Sequence, residues 1–167
     1  MKILFHCVYF PPEVGGLESH VYYLARAMVR RGHDVSVVTS RSLPDVPREE
    51  VMEGIRVLRT WFPRRDPVGW IAHSLGSIWR TRGLARDSEI LHAHAFPSIL
   101  PMSLALAGRD SPLVASCHTS LFLTRAEKPS WRPFLGWLVR TPDYSLAASQ
   151  QIANVAMGLA PGIEVAA

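Results

Sequence analysis

The chain is poor in cysteine, in lysine and in long apolar runs, and each shortage excludes something. Two cysteines among 167 residues, Cys7 and Cys117, cannot build a disulfide framework, and a reducing cytoplasm is the natural compartment. No stretch approaches the roughly 18 consecutive apolar residues of a membrane-spanning helix. The apolar start Met1–Phe5 is stopped by His6 and Pro11-Pro12 before a signal-peptide core forms. With 48% hydrophobic residues, neither disorder nor a fibrous repeat fits. The length suits one domain and leaves no room for two of ordinary size.

Lysine is nearly absent, so the positive charge is carried by arginine, which grips phosphate as a planar fork. It is also unevenly placed. The overall +4 conceals a net charge of +7 over residues 56–140, against −1 before and −2 after, and all five tryptophans (61, 70, 79, 131 and 137) lie in the basic part. Trp61–Arg65, Trp70–Arg80 and Trp131–Arg140 mix aromatic rings with cations, which suits an anionic lipid surface and equally suits half-buried rings beside solvated arginines. No nucleic-acid-binding motif accompanies them, so nucleic acid is not expected as a partner.

Two hydrophobic periods alternate along the chain, as in a parallel sheet with crossover helices. Strands are expected at Lys2–Tyr9, Val35–Thr39, Gly54–Arg59, Glu89–His94, Pro112–His118 and Tyr144–Ser149. Helices are expected after Gly15-Gly16 up to Arg30-Arg31-Gly32, over Val68–Arg86 (weakened by Gly69, Gly76 and Gly83), over Ile99–Ala107 (interrupted by Pro101), and between Trp131 and Arg140. Residues 41–53 read as a polar loop punctuated by proline. The expected architecture is a single Rossmann-like, doubly wound α/β domain with about six or seven strands. Ligands of such sheets bind beyond the carboxyl ends of the strands, which selects Tyr9–Gly16, Thr60–Asp66, His92–Pro97 and His118–Ser120.

Within those segments, Gly15-Gly16 stands where a strand hands over to a helix, either as a tight turn or as an anion site offering backbone N–H groups and freedom for positive φ. It is not a Gly-x-Gly-x-x-Gly fingerprint, and no phosphate-loop lysine follows. His92 and His94, two apart on a strand, share a face and could chelate a metal together with His118. No carboxylate follows at a metallohydrolase spacing, so no metal is expected. Cys117 and His118 point to opposite faces of their strand, which argues against a cysteine nucleophile.

Together, Phe10–Val21 (FPPEVGGLESHV), Leu24–Met28, Arg31–Thr39, Glu89–His94, Ser116–Thr119 and Asp143–Ser149 resemble the amino-terminal domain of GT-B glycosyltransferases of family 4. The resemblance implies a retaining enzyme that moves a sugar from a nucleotide-sugar co-substrate to an acceptor hydroxyl on a lipid, polysaccharide or small molecule, with no cofactor. It implies that Gly15 and Gly16 approach the donor diphosphate and that His118 contacts the transferred sugar as the catalytic residue. Tyr9, His94, Thr119 and the Thr60–Asp66 loop would line the acceptor side, where the charge of Arg64 and Arg65 suits an anionic acceptor. The family also requires a second Rossmann-like domain with an E-x7-E motif, which these residues do not contain. The expectation is therefore an amino-terminal half, inactive until the nucleotide-binding domain joins it in cis or in trans, cytoplasmic and peripheral on an anionic membrane surface. The alternative is a non-catalytic module that holds an anionic acceptor or a partner protein.

Overall fold

The computed structural model describes residues 1–106, 108, 110–118 and 120–167. Eight strands form one sheet: β1 (Lys2–His6), β2 (Asp34–Ser40), β3 (Glu49–Met52), β4 (Ile55–Thr60), β5 (Ile90–His94), β6 (Leu113–Cys117), β7 (Tyr144–Ala147) and β8 (Val165–Ala166). Six helices connect them: α1 (Gly16–Arg30), α2 (Pro67–Ala85), α3 (Phe96–Leu106), α4 (Ser120–Ala126), α5 (Arg132–Arg140) and α6 (Gln150–Leu159). The sheet order is β3-β4-β2-β1-β5-β6-β7-β8, parallel except for β3, which runs antiparallel to β4. The expected doubly wound α/β domain is present, with slightly more strands than anticipated.

Two strands go beyond the six named: β8 is a two-residue pairing with β7 at one edge, and β3, at the other edge, comes from the segment expected to be a loop. Glu53 and Gly54 both adopt positive φ (48° and 84°) between the paired residues Met52 and Ile55. That left-handed pair is the two-residue turn that best matches strand twist. The helix expected at Ile99–Ala107 begins earlier, at Phe96, and Ala107 lies outside the described residues. Pro101 sits inside it without ending it. The freed carbonyl of Pro97 instead accepts the Ser74 hydroxyl at 3.2 Å, so α2 supplies the donor that Pro101 lacks.

Strand alternation divides the interior in two. Leu4, Val38, Leu58, Leu91, Ala93, Leu113 and Ala115 face one way and pack with residues of α2 to α6. Ile3, Phe5, Val35, Val37, Ile55 and Val57 face the other way, where α1 is the only helix contributing buried residues among those described. Right-handed crossovers dictate this. The chain runs outward in one direction from β1 to β2, and in the opposite direction from β5 onward, so the later helices land on the other face. The loops after β1 and β5 therefore part, and a crevice opens between them.

α2 is built against the usual pattern. The side facing the sheet carries His73, Ser74, Ser77 and Thr81, all buried, whereas Val68, Ile71, Leu75 and Trp79 are exposed. Positions 68, 71, 75 and 79, continued by the exposed Arg82 and Arg86, fall on one helical stripe. Each of these side chains has a hydrogen-bond partner, although Nε2 of His73 is left without one. Ser77 donates to the Ser74 carbonyl at 3.0 Å, which leaves its oxygen to accept from Nε2 of His6 at 2.9 Å. The Thr60 hydroxyl lies 2.7 Å from Nδ1 of His73. Gly69, read as a weak point of this helix, is required there: the Arg64 carbonyl occupies the space a side chain would fill, so only glycine lets the preceding loop fold onto the first turn. Asp66 caps that turn, accepting from the Gly69 amide at 2.9 Å, and this bond holds its carboxyl below the ordinary range.

Candidate functional site

All four segments selected from strand ends lie on one edge of the sheet, after β1, β4, β5 and β6. A cavity of about 210 Å³ opens there between the β1 and β5 loops, lined by Val8, Tyr9, Leu17, Glu18, Trp70 and Ala95 among others. Two groups of candidate residues flank it.

The first group surrounds Tyr9. Its hydroxyl accepts from Nε1 of Trp70 at 3.2 Å, its ring meets Phe62 edge-on at 5.7 Å, and the Arg65 guanidinium lies over it, 5.4 Å from the centroid. Neither Arg64 nor Arg65 stands free. Arg64 pairs with Asp66 and Arg65 with Glu13. Burial works to raise the Glu13 carboxyl, yet the bonds from Arg65 and Ser42 hold it below its ordinary range. An anionic ligand at these arginines has to share them with carboxylates.

The second group is histidine-rich. His92 and His94 do share a face, their rings stacked 4.0 Å apart, and both meet Phe5 edge-on. His92 is not aimed at the cavity: its Nε2 lies 2.8 Å from the Ser116 hydroxyl of the neighbouring strand. His118, at the carboxyl end of β6, stacks instead with His94 at 5.7 Å and meets His20 at 4.6 Å. The metal grouping conceived around His92 is thus replaced by one around His20, which the sequence reading passed over. Its signal was the spacing from Gly16, four residues and about one helical turn. Burial pushes His92 and His118 down to about 4 and His94 well below its ordinary value, so all three rings are neutral near pH 7. Thr119 lies outside the described residues.

Gly15 caps α1 in an extended conformation, φ −178° and ψ 175°, and Gly16 likewise shows no positive φ. Left-handed backbone is therefore not what glycine provides here. A side chain at Gly16 would meet nothing within 4 Å, so the helix amino terminus is open to close approach. At Gly15 that space is taken by the Glu18 carboxylate, folded back over it. Both thiols are buried, and burial pushes Cys7 up to about 12 and Cys117 up to about 11. Neither is a thiolate at neutral pH, in keeping with the argument against cysteine catalysis.

A sequence model described as Glycosyltransferase Family 4 matches residues 14–161. The chain belongs to this family. The family 4 chain is 32% identical over 125 residues to a phosphatidyl-myo-inositol mannosyltransferase of Mycobacterium tuberculosis (strain ATCC 25618 / H37Rv), covering 72% of this chain and 32% of that protein. It is 27% identical over 175 residues to a glycogen synthase of the same strain, covering 89% of this chain and 42% of that one. It spans well under half the length of these relatives. Among solved structures, it superposes on sucrose-phosphate synthase from Thermosynechococcus elongatus with a TM-score of 0.77 at 13% identity, over 98% of this chain and 46% of that one. The catalytic domain of starch synthase IV from Arabidopsis thaliana gives 0.64 at 14% identity, over 87% and 44%. At such identities the superpositions speak for the fold, the GT-B glycosyltransferase arrangement.

Proposed function

We propose that this chain is the acceptor-side half of a retaining glycosyltransferase, which passes a sugar from a nucleotide-diphosphate donor to an acceptor hydroxyl when a second domain, in cis or in trans, supplies the nucleotide site. The observation that carries the reading is His118: a neutral imidazole at the carboxyl end of β6, with Nε2 buried and unpartnered, beside the crevice and the amino terminus of α1. Its nitrogen is free to bond a hydroxyl of the transferred sugar. The bond from the anomeric carbon to the diphosphate breaks as the acceptor oxygen bonds to that carbon; the diphosphate leaves with the electron pair and takes up the acceptor hydroxyl's proton, and the positive end of α1 at Gly15-Gly16 stabilises the charge it gains. No resident metal or cofactor is assigned to this step. Tyr9, His94, Arg64, Arg65 and Thr119 are proposed for the acceptor side.

The acceptor is proposed to be a lipid at an anionic membrane surface. Among the described residues no helix is long and apolar enough to cross a membrane; the contact proposed is peripheral, on the cytoplasmic side. The outward stripe of α2 fits it: Val68, Ile71, Leu75 and Trp79 exposed (Trp79 at 80%) and followed by Arg82 and Arg86. Apolar residues continued by arginines suit the boundary between acyl chains and anionic headgroups. The likeness to proteins named phosphatidyl-myo-inositol mannosyltransferases supports the same choice.

The test is sugar transfer from a panel of radiolabelled nucleotide sugars to membrane lipids, by the chain alone and by the chain joined to the donor-binding domain of a family member. Transfer is expected only from the joined protein, and His118→Ala should lower it by roughly 10²-fold, the size of a lost stabilising contact. Equal transfer by His118→Ala, or full activity of the chain alone, overturns the reading.

A further inference from the structure

His20, His94 and His118 come from three elements, the first turns of α1, the end of β5 and the residue after β6, and one ring nitrogen of each lies within 4.8 Å of the other two. His94 is wholly buried, and neither of its ring nitrogens has a hydrogen-bond partner. Nε2 of His118 is buried without one as well. Buried polar atoms without partners are costly, and such a nitrogen on each of two neighbouring rings calls for a shared ligand. His92 has no such need, because Ser116 satisfies its Nε2.

We propose that His20, His94 and His118 form a three-imidazole site for a divalent first-row transition ion, zinc above all, with a fourth position open to solvent. Three imidazoles and no carboxylate are an all-nitrogen set of borderline softness that suits zinc and rejects magnesium and calcium, which require oxygen ligands. A zinc ion about 2.0–2.1 Å from each nitrogen brings the nitrogens closer together than the 4.8 Å limit. The exposed His20, on the first turns of a helix, is the ring free to swing inward. His118 is half-buried and His94 lies beneath it, so an ion enters from the solvent side and keeps one face toward it. One consequence rests on the transferase reading: an ion on Nε2 of His118 takes that nitrogen away from the sugar, so zinc acts as an inhibitor of transfer and not as its cofactor.

The experiment uses untagged protein, stripped with a chelator and titrated first with cobalt, read by the visible absorption of the bound ion, and then with zinc as competitor. One saturable equivalent is expected, with no response to magnesium. His20→Ala and His118→Ala should each weaken zinc binding by at least ~10-fold, since even supporting residues of metal sites carry 10- to 100-fold, while the surface variant His33→Ala should bind as wild type. His20 is exposed, so its variant folds and keeps the test decisive. Absence of saturable binding below millimolar zinc, or a site that survives His20→Ala, overturns the proposal. These readouts involve no sugar, so a failure here leaves the transferase reading standing, and failure of transfer leaves the metal site standing.

Discussion

The Ser74 hydroxyl donates to the Pro97 carbonyl at 3.2 Å, filling a vacancy that Pro101 creates one helical turn further on. Two helices adjacent in space thus repair each other: α3 carries a proline that would normally break it, and α2 turns a polar side inward to compensate. Ser74→Ala leaves the carbonyl buried and without a donor. The expected cost is about 1–2 kcal/mol, measured as a lower urea midpoint with an unchanged slope.

Arg59 anchors the other side of the crevice. Its side chain is 1% exposed and paired with Glu50, and it donates to the Pro11 carbonyl at 2.7 Å and to that of Pro47 at 3.3 Å. One guanidinium therefore ties the loop after β1 to the segment before β3. Arg59→Ala should destabilise by about 3 kcal/mol, the lower end for breaking a buried ion pair. Arg59→Lys should recover only part of this, because an ammonium cannot satisfy three such acceptors in the same planar fork. Thermal melts of the two variants beside wild type check the order.

Acid should unfold the protein early. His73, His92 and His118 are held down to about 4 by burial, and His6 and His94 lie well below their ordinary value for the same cause. In the unfolded chain these rings take up protons near pH 6.5. Between about pH 6.5 and 4 the unfolded state thus binds more protons, and stability falls as pH falls. Above pH 6.5 these groups contribute their full stability and the melting temperature should level off. Melts from pH 8 to pH 4.5 should show a decline confined to the acid side; a flat profile contradicts the assignment.

The apolar stripe of α2 can be altered without touching the core. Leu75→Glu with Trp79→Glu replaces two exposed side chains and should change stability by no more than about 0.5 kcal/mol. It should abolish sedimentation with anionic vesicles, while wild-type binding should weaken as salt rises. Unimpaired vesicle binding by the double variant removes the membrane from the account of this helix.

The alternation of strand and helix was legible because each central strand is covered on both faces and reads as an apolar run. So was the gathering of Tyr9, His94 and His118 at one edge, which follows from parallel topology alone. The edge strand β3 was not, since Glu49 and Glu50 are half-exposed or exposed and the strand exists through its turn at Glu53-Gly54 and not through its composition. α4 and α6 were also missed. For α6 the signal was present: Ser149 accepts from the Ile152 amide at 3.4 Å as its cap, ahead of buried Ile152, Ala153 and Ala156. His20 could not be paired with His118 from sequence, because 98 positions separate them and only the crossover from α1 back to the sheet brings their rings together.

The fold of Glu18 over Gly15 has a consequence for whatever anion docks at α1. In the resting protein that helix terminus already holds a negative group of its own, so an incoming phosphate does not enter a vacant positive field. Any anion approaching the amides there meets like charge first, so the Glu18 side chain has to swing aside before the terminus can accept it.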